Sequence, residues 1–251
     1  LKTANRSDIG RIRLVNEDRA WAELTAGGIG VAIVADGMGG HQAGDVASQL
    51  AVDTFREVMS SVSGELTLEA AKTLLRQAIL QANEVVYELA SQNDHYHNMG
   101  TTVVAAMLLQ DSGVVGHIGD SRAYKLRQGE LCQLTEDHTL VNELAKSGQI
   151  SAEEAASHPR RNVLTRALGT DREVEVDIKG FSWKEDDLLL LCSDGLYSMV
   201  SDEEMRLTLL ESELDLDGRA ERLIEQALHA GGEDNVTVLL VHSDSGEGQE
   251  G

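Results

Sequence analysis

Proline occurs once in 251 residues, cysteine twice, and 21 basic residues face 43 acidic ones. Each scarcity excludes something. With Pro159 alone and no Ser-rich stretch in the body of the chain, no linker is marked by composition, so a single domain over residues 1–242 is expected. Cys132 and Cys192 have no metal-ligand spacing and lie in strand-like contexts; they are expected as buried free thiols in a reducing compartment, the cytoplasm. A formal charge of −22 opposes a nucleic-acid backbone and an anionic membrane alike, and a monomer is expected. The longest apolar runs, VVAAMLL (Val103 to Leu109) and LLLLC (Leu188 to Cys192), are too short to span a bilayer. The opening LKTANRSDIGRIR lacks the apolar segment of a signal peptide. SDSGEGQEG, residues 243–251, has no apolar anchor and is expected to be a disordered acidic tail.

Short β-type runs recur: GIGVAIVA (Gly28 to Ala35), TTVVAAML (Thr101 to Leu108), GVVGHIG (Gly113 to Gly119), RAYKLR (Arg122 to Arg127), DLLLLCS (Asp187 to Ser193) and NVTVLLV (Asn235 to Val241). Their continuous apolar character implies sheets covered on both faces. The covers are two long helical patterns, one through Val46, Leu50, Phe55, Val58 and Met59, the other through Leu68, Leu75, Ile79, Ala82, Val86 and Leu89. Two more helices are expected near the C-terminus, one opened by the capping-box spacing Ser201 to Glu204, the other carrying Ala220, Leu223, Ile224, Ala227 and Leu228. Strands and helix pairs come in blocks, which favours a layered α+β sandwich over a βαβ repeat.

Residues 136–169 have another texture, with the proline, a capping-box spacing from Ser151 to Glu154, and Arg160, Arg161 and Arg166 close together. This is a helical excursion over one edge of the core, either a substrate flap or a structural insertion.

VAIVADGMGGHQAG, from Val31 to Gly44, begins like a dinucleotide fingerprint, but Gln42 stands where the third glycine is needed and no Walker lysine follows. Asp36 at the mouth of the loop would repel a pyrophosphate and suits a cation. Asp120, Asp194 and Asp234 stand likewise at the ends of apolar runs. Each alone reads as a turn residue. Converging at one edge, the four would repel without a divalent counter-ion. All the donors are oxygens, with no Cys cluster and no His pair at i, i+4, so Mg2+ or Mn2+ is favoured over structural zinc. In GRIRLVNED (Gly10 to Asp18), Arg13 could grip a phosphate dianion, and Glu17 and Asp18 could orient metal waters.

Taken in order, SDIGRIRLVNED, VADGMGGHQAGDVAS, MGTTVV, HIGDSRAY, TEDHTLVNEL, HPRRNVLTRALG, LLLLCSDGL and GGEDNVTVLLV resemble the metal-dependent protein serine/threonine phosphatases, the PPM or type 2C family, and especially their compact bacterial members. The resemblance implies an α-β-β-α sandwich of two antiparallel sheets. It implies two Mn2+ or Mg2+ ions bridged by Asp36, with Asp194 and Asp234 completing the first and the Gly37 carbonyl serving the second. A weaker third ion would sit at Asp120 and Asp194. Arg13 would bind phosphate, and Glu17, Asp18 and Asn235 would belong to the ring of groups around the ions. The implied reaction is hydrolysis of phosphoserine and phosphothreonine on proteins by a metal-bridged water or hydroxide, opposing a bacterial Ser/Thr protein kinase. In animal-type members a histidine follows the Asp-Gly pair directly; here His41 lies four residues beyond Gly37, so either His41 or a water on the third ion would protonate the leaving alkoxide. His41 could equally hydrogen-bond within the glycine loop, and His117, His138 and His158 read as structural or flap residues.

Overall fold

The computed structural model describes residues 1–39, 43–96 and 98–243. Its elements begin with β1 (Lys2–Asp8), β2 (Asp18–Leu24), β3 (Gly30–Met38), α1 (Ala43–Ser60), α2 (Leu68–Gln92), β4 (Gly100–Thr101), β5 (Val103–Leu108), β6 (Ser112–Ile118), β7 (Arg122–Arg127) and β8 (Glu130–Gln133). There follow α3 (Leu140–Lys146), α4 (Ala152–Ala156), β9 (Asp177–Ser182), β10 (Leu188–Cys192), α5 (Asp194–Tyr197), α6 (Asp202–Leu209), α7 (Leu216–Ala230) and β11 (Val236–His242). One sheet runs β1-β11-β10-β7-β8 and the other β2-β3-β5-β6-β9, with β4 paired to β3; every ladder is antiparallel.

Residue alternation along the inner strands builds three cores, hence four layers. In β3, Val31, Ile33 and Ala35 face α1 and α2 while Ala32 and Val34 face the other sheet. In β10, Leu188, Leu190 and Cys192 face the C-terminal helices while Leu189 and Leu191 turn inward, and β11 repeats the pattern with Val236, Val238 and Leu240 against Leu239 and Val241. Both faces of these strands are dry, which is why their sequences are unbroken apolar runs. The expected α-β-β-α sandwich is observed.

Four strands have no counterpart among the expected ones: β1, β2, β8 and β9. All four are sheet edges. Their side chains are largely exposed or half-buried and include charges, as in KTANRSD and DRAWAEL, so no apolar run marks them. For the same reason Cys132, on edge strand β8, is exposed, against the expectation of burial; Cys192 is buried as expected. Of the expected features, His41 and residues 244–251 lie outside the described residues.

The expected capping boxes are formed: Ser151 and Glu154 open α4, and Ser201 and Glu204 open α6. Residues 136–169 carry α3 and α4. Their exit is tied to α2 by Asn83, whose Oδ1 accepts the Gly169 N–H (2.7 Å) and whose Nδ2 donates to the carbonyls of Asp171 (3.1 Å) and Arg172 (3.2 Å). Asn83→Ala leaves the buried Gly169 N–H unpaired and frees the other end of the clamp; it should cost about 2 kcal/mol, lowering the melting temperature by roughly 5 °C. A calorimetric scan checks this; an unchanged transition contradicts the clamp.

Candidate metal centre

The antiparallel alternation of strands brings ends that are remote in sequence to one end of the sandwich. Asp36 lies near the end of β3, directly across the ladder from Asp18 at the start of β2. Asp194 follows β10, Asp234 precedes β11, and Asp120 lies in the turn from β6 to β7. A cavity of about 230 Å³ at this edge is lined by Arg13, Glu17, Asp36, Gly37, Asp120, Asp194, Asp234 and Asn235, with Asn162 and Leu164 from the 136–169 segment. The aspartates expected from sequence are therefore brought together, and they share the cavity with Arg13.

Their electrostatics are unfavourable without a cation. Burial, reinforced by Asp194 and Asp234, pushes the Asp18 carboxyl up to about 7. Burial and then the charge of Asp194 raise Asp120 to about 8. Burial and Asp234 raise Asp194 to about 6 against a hydrogen bond with Asp36, and Asp36 is raised well above the usual range by burial and by its four acidic neighbours. Two buried oxygens, Asp18 Oδ1 and Asp194 Oδ1, have no hydrogen-bond partner. Orphaned hard-oxygen donors among mutually repelling carboxylates fit a divalent cation of the Mg2+ or Mn2+ type.

The supporting bonds explain the flanking motifs. Arg13 Nη2 donates to Asp234 Oδ2 at 2.6 Å, so the guanidinium, still half exposed, neutralises one of the carboxylates. Asn235 acts as a staple: its Nδ2 donates to the carbonyls of Ile9 (2.9 Å) and Val15 (3.0 Å), and its Oδ1 accepts the Glu17 N–H (2.8 Å). It thus holds the loop that carries Arg13. The Glu17 carboxyl lies against the first turn of α1, where the backbone N–H groups of Gly44 and Asp45 favour its charged form and burial opposes it. Thr101 Oγ1 and the Thr102 N–H both donate to the Asp36 carbonyl at 2.9 Å, and Thr102 Oγ1 is bonded to Ser121 Oγ at 2.7 Å. The threonine pair of MGTTVV therefore connects Asp36 to the Asp120 turn.

Gly37 is glycine because of neighbouring backbone: a Cβ there would lie 2.0 Å from the Gly44 carbonyl oxygen and 2.8 Å from that of Glu17. Residues not singled out from sequence include Ser193, whose Oγ donates to Asp18 Oδ2 (2.6 Å) and accepts the Thr237 N–H (3.0 Å). A hydroxyl just before Asp194 was its only signal.

Away from the carboxylates, His117, His138 and Asp177 bring three donor atoms within 4.8 Å of one another. The His138 Nδ1 accepts the Gly119 N–H (3.1 Å), which leaves a neutral ring's proton on Nε2, 3.4 Å from Asp177 Oδ2. His117 stacks on it at 4.6 Å and its Nε2 meets the Glu136 carbonyl at 2.7 Å. Both rings are thus pinned to backbone at Gly119 and Glu136, in line with their structural reading, while the buried His138 Nε2 has no hydrogen-bond partner.

A sequence profile of the family described as protein phosphatase 2C matches residues 11–234. The chain belongs to the protein phosphatase 2C family. Among family relatives, the serine/threonine phosphatase stp of Listeria monocytogenes is 46% identical over 239 residues, which is 95% of this chain and 94% of that one. The serine/threonine phosphatase PstP/Ppp of Mycobacterium tuberculosis superposes with a TM-score of 0.88 at 38% identity, covering 97% of this chain and 98% of that one. The catalytic domain of PstP in complex with two manganese ions gives a TM-score of 0.85 at 36% identity, covering 97% and 98%.

The raised carboxyl pKa values make stability depend on pH. A carboxyl whose folded value exceeds its unfolded one keeps its proton longer when folded. Its contribution is full below the ordinary value of 3.8 and is lost as pH climbs through about 6 for Asp194, 7 for Asp18 and 8 for Asp120. In chelator, the melting temperature should fall by roughly 5 °C between about pH 5.5 and about pH 8.5, and Mn2+ should restore it at the alkaline end. A chelated protein that grows more stable over this range contradicts the arrangement.

Proposed function

We propose that this phosphatase 2C family member hydrolyses phosphoserine and phosphothreonine in proteins with the help of divalent cations. The observation that carries the proposal is the convergence of Asp36, Asp120, Asp194 and Asp234 in one cavity with Arg13. The relatives named as serine/threonine phosphatases support it, and the manganese complex of PstP supports the choice of cation. Asp36, Asp194, Asp234 and the Gly37 carbonyl would hold two ions. Asp120 with Asp194 is assigned to a third, weaker ion. Bound cations would supply an acidified water and positive charge for the phosphoryl oxygens.

The protein's own groups supply the rest. Arg13 donates one bond, from Nη2, to Asp234 and stays half exposed; with a cation held at Asp234, its guanidinium would be available to grip a phosphate dianion in bidentate fashion. Asp18, tied down by Ser193, lies beside Asp36 and is assigned to orient water there. Glu17, held on the first turn of α1, and Asn235, stapling the loop, are assigned to keep Arg13 and Gly37 in register. His41 is retained as a candidate proton donor to the leaving alkoxide. Asn162 and Leu164 of the 136–169 segment line the cavity, which supports reading that segment as a substrate flap. The phosphoprotein substrates are assigned to a bacterial Ser/Thr kinase pathway, with the enzyme acting in the cytoplasm as a monomer.

Purified protein with Mn2+ should dephosphorylate a phosphothreonine peptide and p-nitrophenyl phosphate; absence of turnover with both Mn2+ and Mg2+ refutes the proposal. Asp36→Asn should reduce kcat by about a thousandfold or more and weaken Mn2+ binding measured by titration calorimetry. Near-normal turnover of that variant would show the cation assignment wrong. Arg13→Ala should raise KM for the peptide about tenfold with a smaller change in kcat, as loss of a ground-state phosphate contact requires. A steady-state fit in which only kcat falls assigns Arg13 to another step.

A further inference from the structure

Asp120 lies in the tight connection between β6 and β7, and its two neighbours are secured by other groups. Gly119 exchanges backbone hydrogen bonds with His138, donating to its ring Nδ1 and accepting its N–H, and Ser121 is bonded to Thr102. The main chain of Asp120 itself is tied from elsewhere: the Tyr197 hydroxyl donates to the Asp120 carbonyl at 2.9 Å. Tyr197 is the last residue of α5, and Asp194 is the first. A single helical turn therefore carries the Asp194 carboxylate at one end and, at i+3 on the same face, the hydroxyl that grips Asp120.

The tyrosine is in turn immobilised. The Arg122 guanidinium carbon lies 3.6 Å from the centroid of the Tyr197 ring, a cation–π contact in a partly desolvated place. Arg122 cannot swing away, because Nε donates to Asp137 Oδ1 (2.9 Å), Nη2 to Asp137 Oδ2 (2.7 Å) and Nη1 to the Tyr124 hydroxyl (2.9 Å). With its charge spent on Asp137, Arg122 is unsuited to holding a phosphate and well suited to being a fixed platform.

We infer that Tyr197, seated on Arg122, is a positioning residue that sets the separation of Asp120 from Asp194 and thereby the affinity of the weakest cation position. Without the hydroxyl, the Asp120 carboxylate must be ordered by the cation itself. The inference rests on the cation assignment made under the proposed function.

Tyr197→Phe keeps the ring and its stacking and removes one donor. The test is Mn2+ titration calorimetry without substrate on the wild type, Tyr197→Phe, Asp120→Asn and the double variant, each first shown by circular dichroism to be folded at the titration temperature. The expected result is that Tyr197→Phe weakens the weakest binding event about tenfold, the worth of one orienting hydrogen bond, and leaves the tighter events unchanged. Asp120→Asn should abolish the weak event, and adding Tyr197→Phe should change nothing further, since both substitutions act on one element. Identical isotherms for wild type and Tyr197→Phe overturn the inference, as do equal losses in every event or effects that add in the double variant. A wild type that binds tightly at two positions and shows no weaker event overturns it while leaving the proposed function intact. A wild type that binds no Mn2+ overturns both.

Discussion

Five aspartates meet at one edge of the sandwich, and they cannot all be charged there without a partner. In water their repulsion would be screened within a Debye length; behind the ends of four buried strands it is not. The protein carries this cost because three dry cores, each built from alternating faces of the inner strands, hold the strand ends in place. The local remedies are partial. Arg13 neutralises Asp234, and Ser193 satisfies one oxygen of Asp18. Two buried oxygens stay unpaired. A cluster that unfavourable persists where a ligand relieves it, and the ligand that relieves carboxylate repulsion is a small divalent cation.

The same constraint explains why so much of the neighbourhood is backbone against backbone. Gly195 follows Asp194, and a Cβ there would stand 2.0 Å from the Asn235 carbonyl oxygen. The segments bearing Asp194 and Asp234 can thus approach only because that side chain is missing. Asn235, in the same contact, turns its amide outward to staple the loop that brings Arg13. Position of the charged groups is accordingly set by main-chain packing, with little left to rotamer choice, as preorganisation demands.

How much of this could be read from the chain depends on where each residue sits. The inner strands β3, β5, β6, β7, β10 and β11 announce themselves because both faces are buried, or nearly so. Edge strands β1, β2, β8 and β9 meet solvent and carry Lys2, Arg6, Arg19, Glu130 and Lys179, so their pairing is decided by neighbours that sequence periodicity does not reveal. Asp36, Asp120, Asp194 and Asp234 were legible because each stands at the end of an apolar run. Ser193, Thr237, Asn83 and Tyr197 were not, since a hydroxyl or an amide gains its meaning only from the partner the fold supplies: Asp18 for Ser193, Gly169 for Asn83, Asp120 for Tyr197. Glu17 shows the intermediate case. Its proximity to the ions was implied by resemblance, whereas its place against the first turn of α1 follows only from the packing of Gly37 on Gly44.

A last consequence concerns charge. With a net formal charge of −22, the chain as a whole repels a phosphorylated peptide, and the cation-free cavity repels it most of all, since it exposes carboxylates and a single arginine already engaged. Attraction for phosphate therefore cannot be a standing property of this surface. It would arise once bound cations offset the local carboxylates and left Arg13 available for the phosphate. Substrate affinity and cation affinity become linked quantities, each strengthening the other by the same factor. The acidic surface beyond the cavity then acts against indiscriminate capture of anions, leaving the loaded centre as the place where a phosphoryl group is attracted rather than repelled.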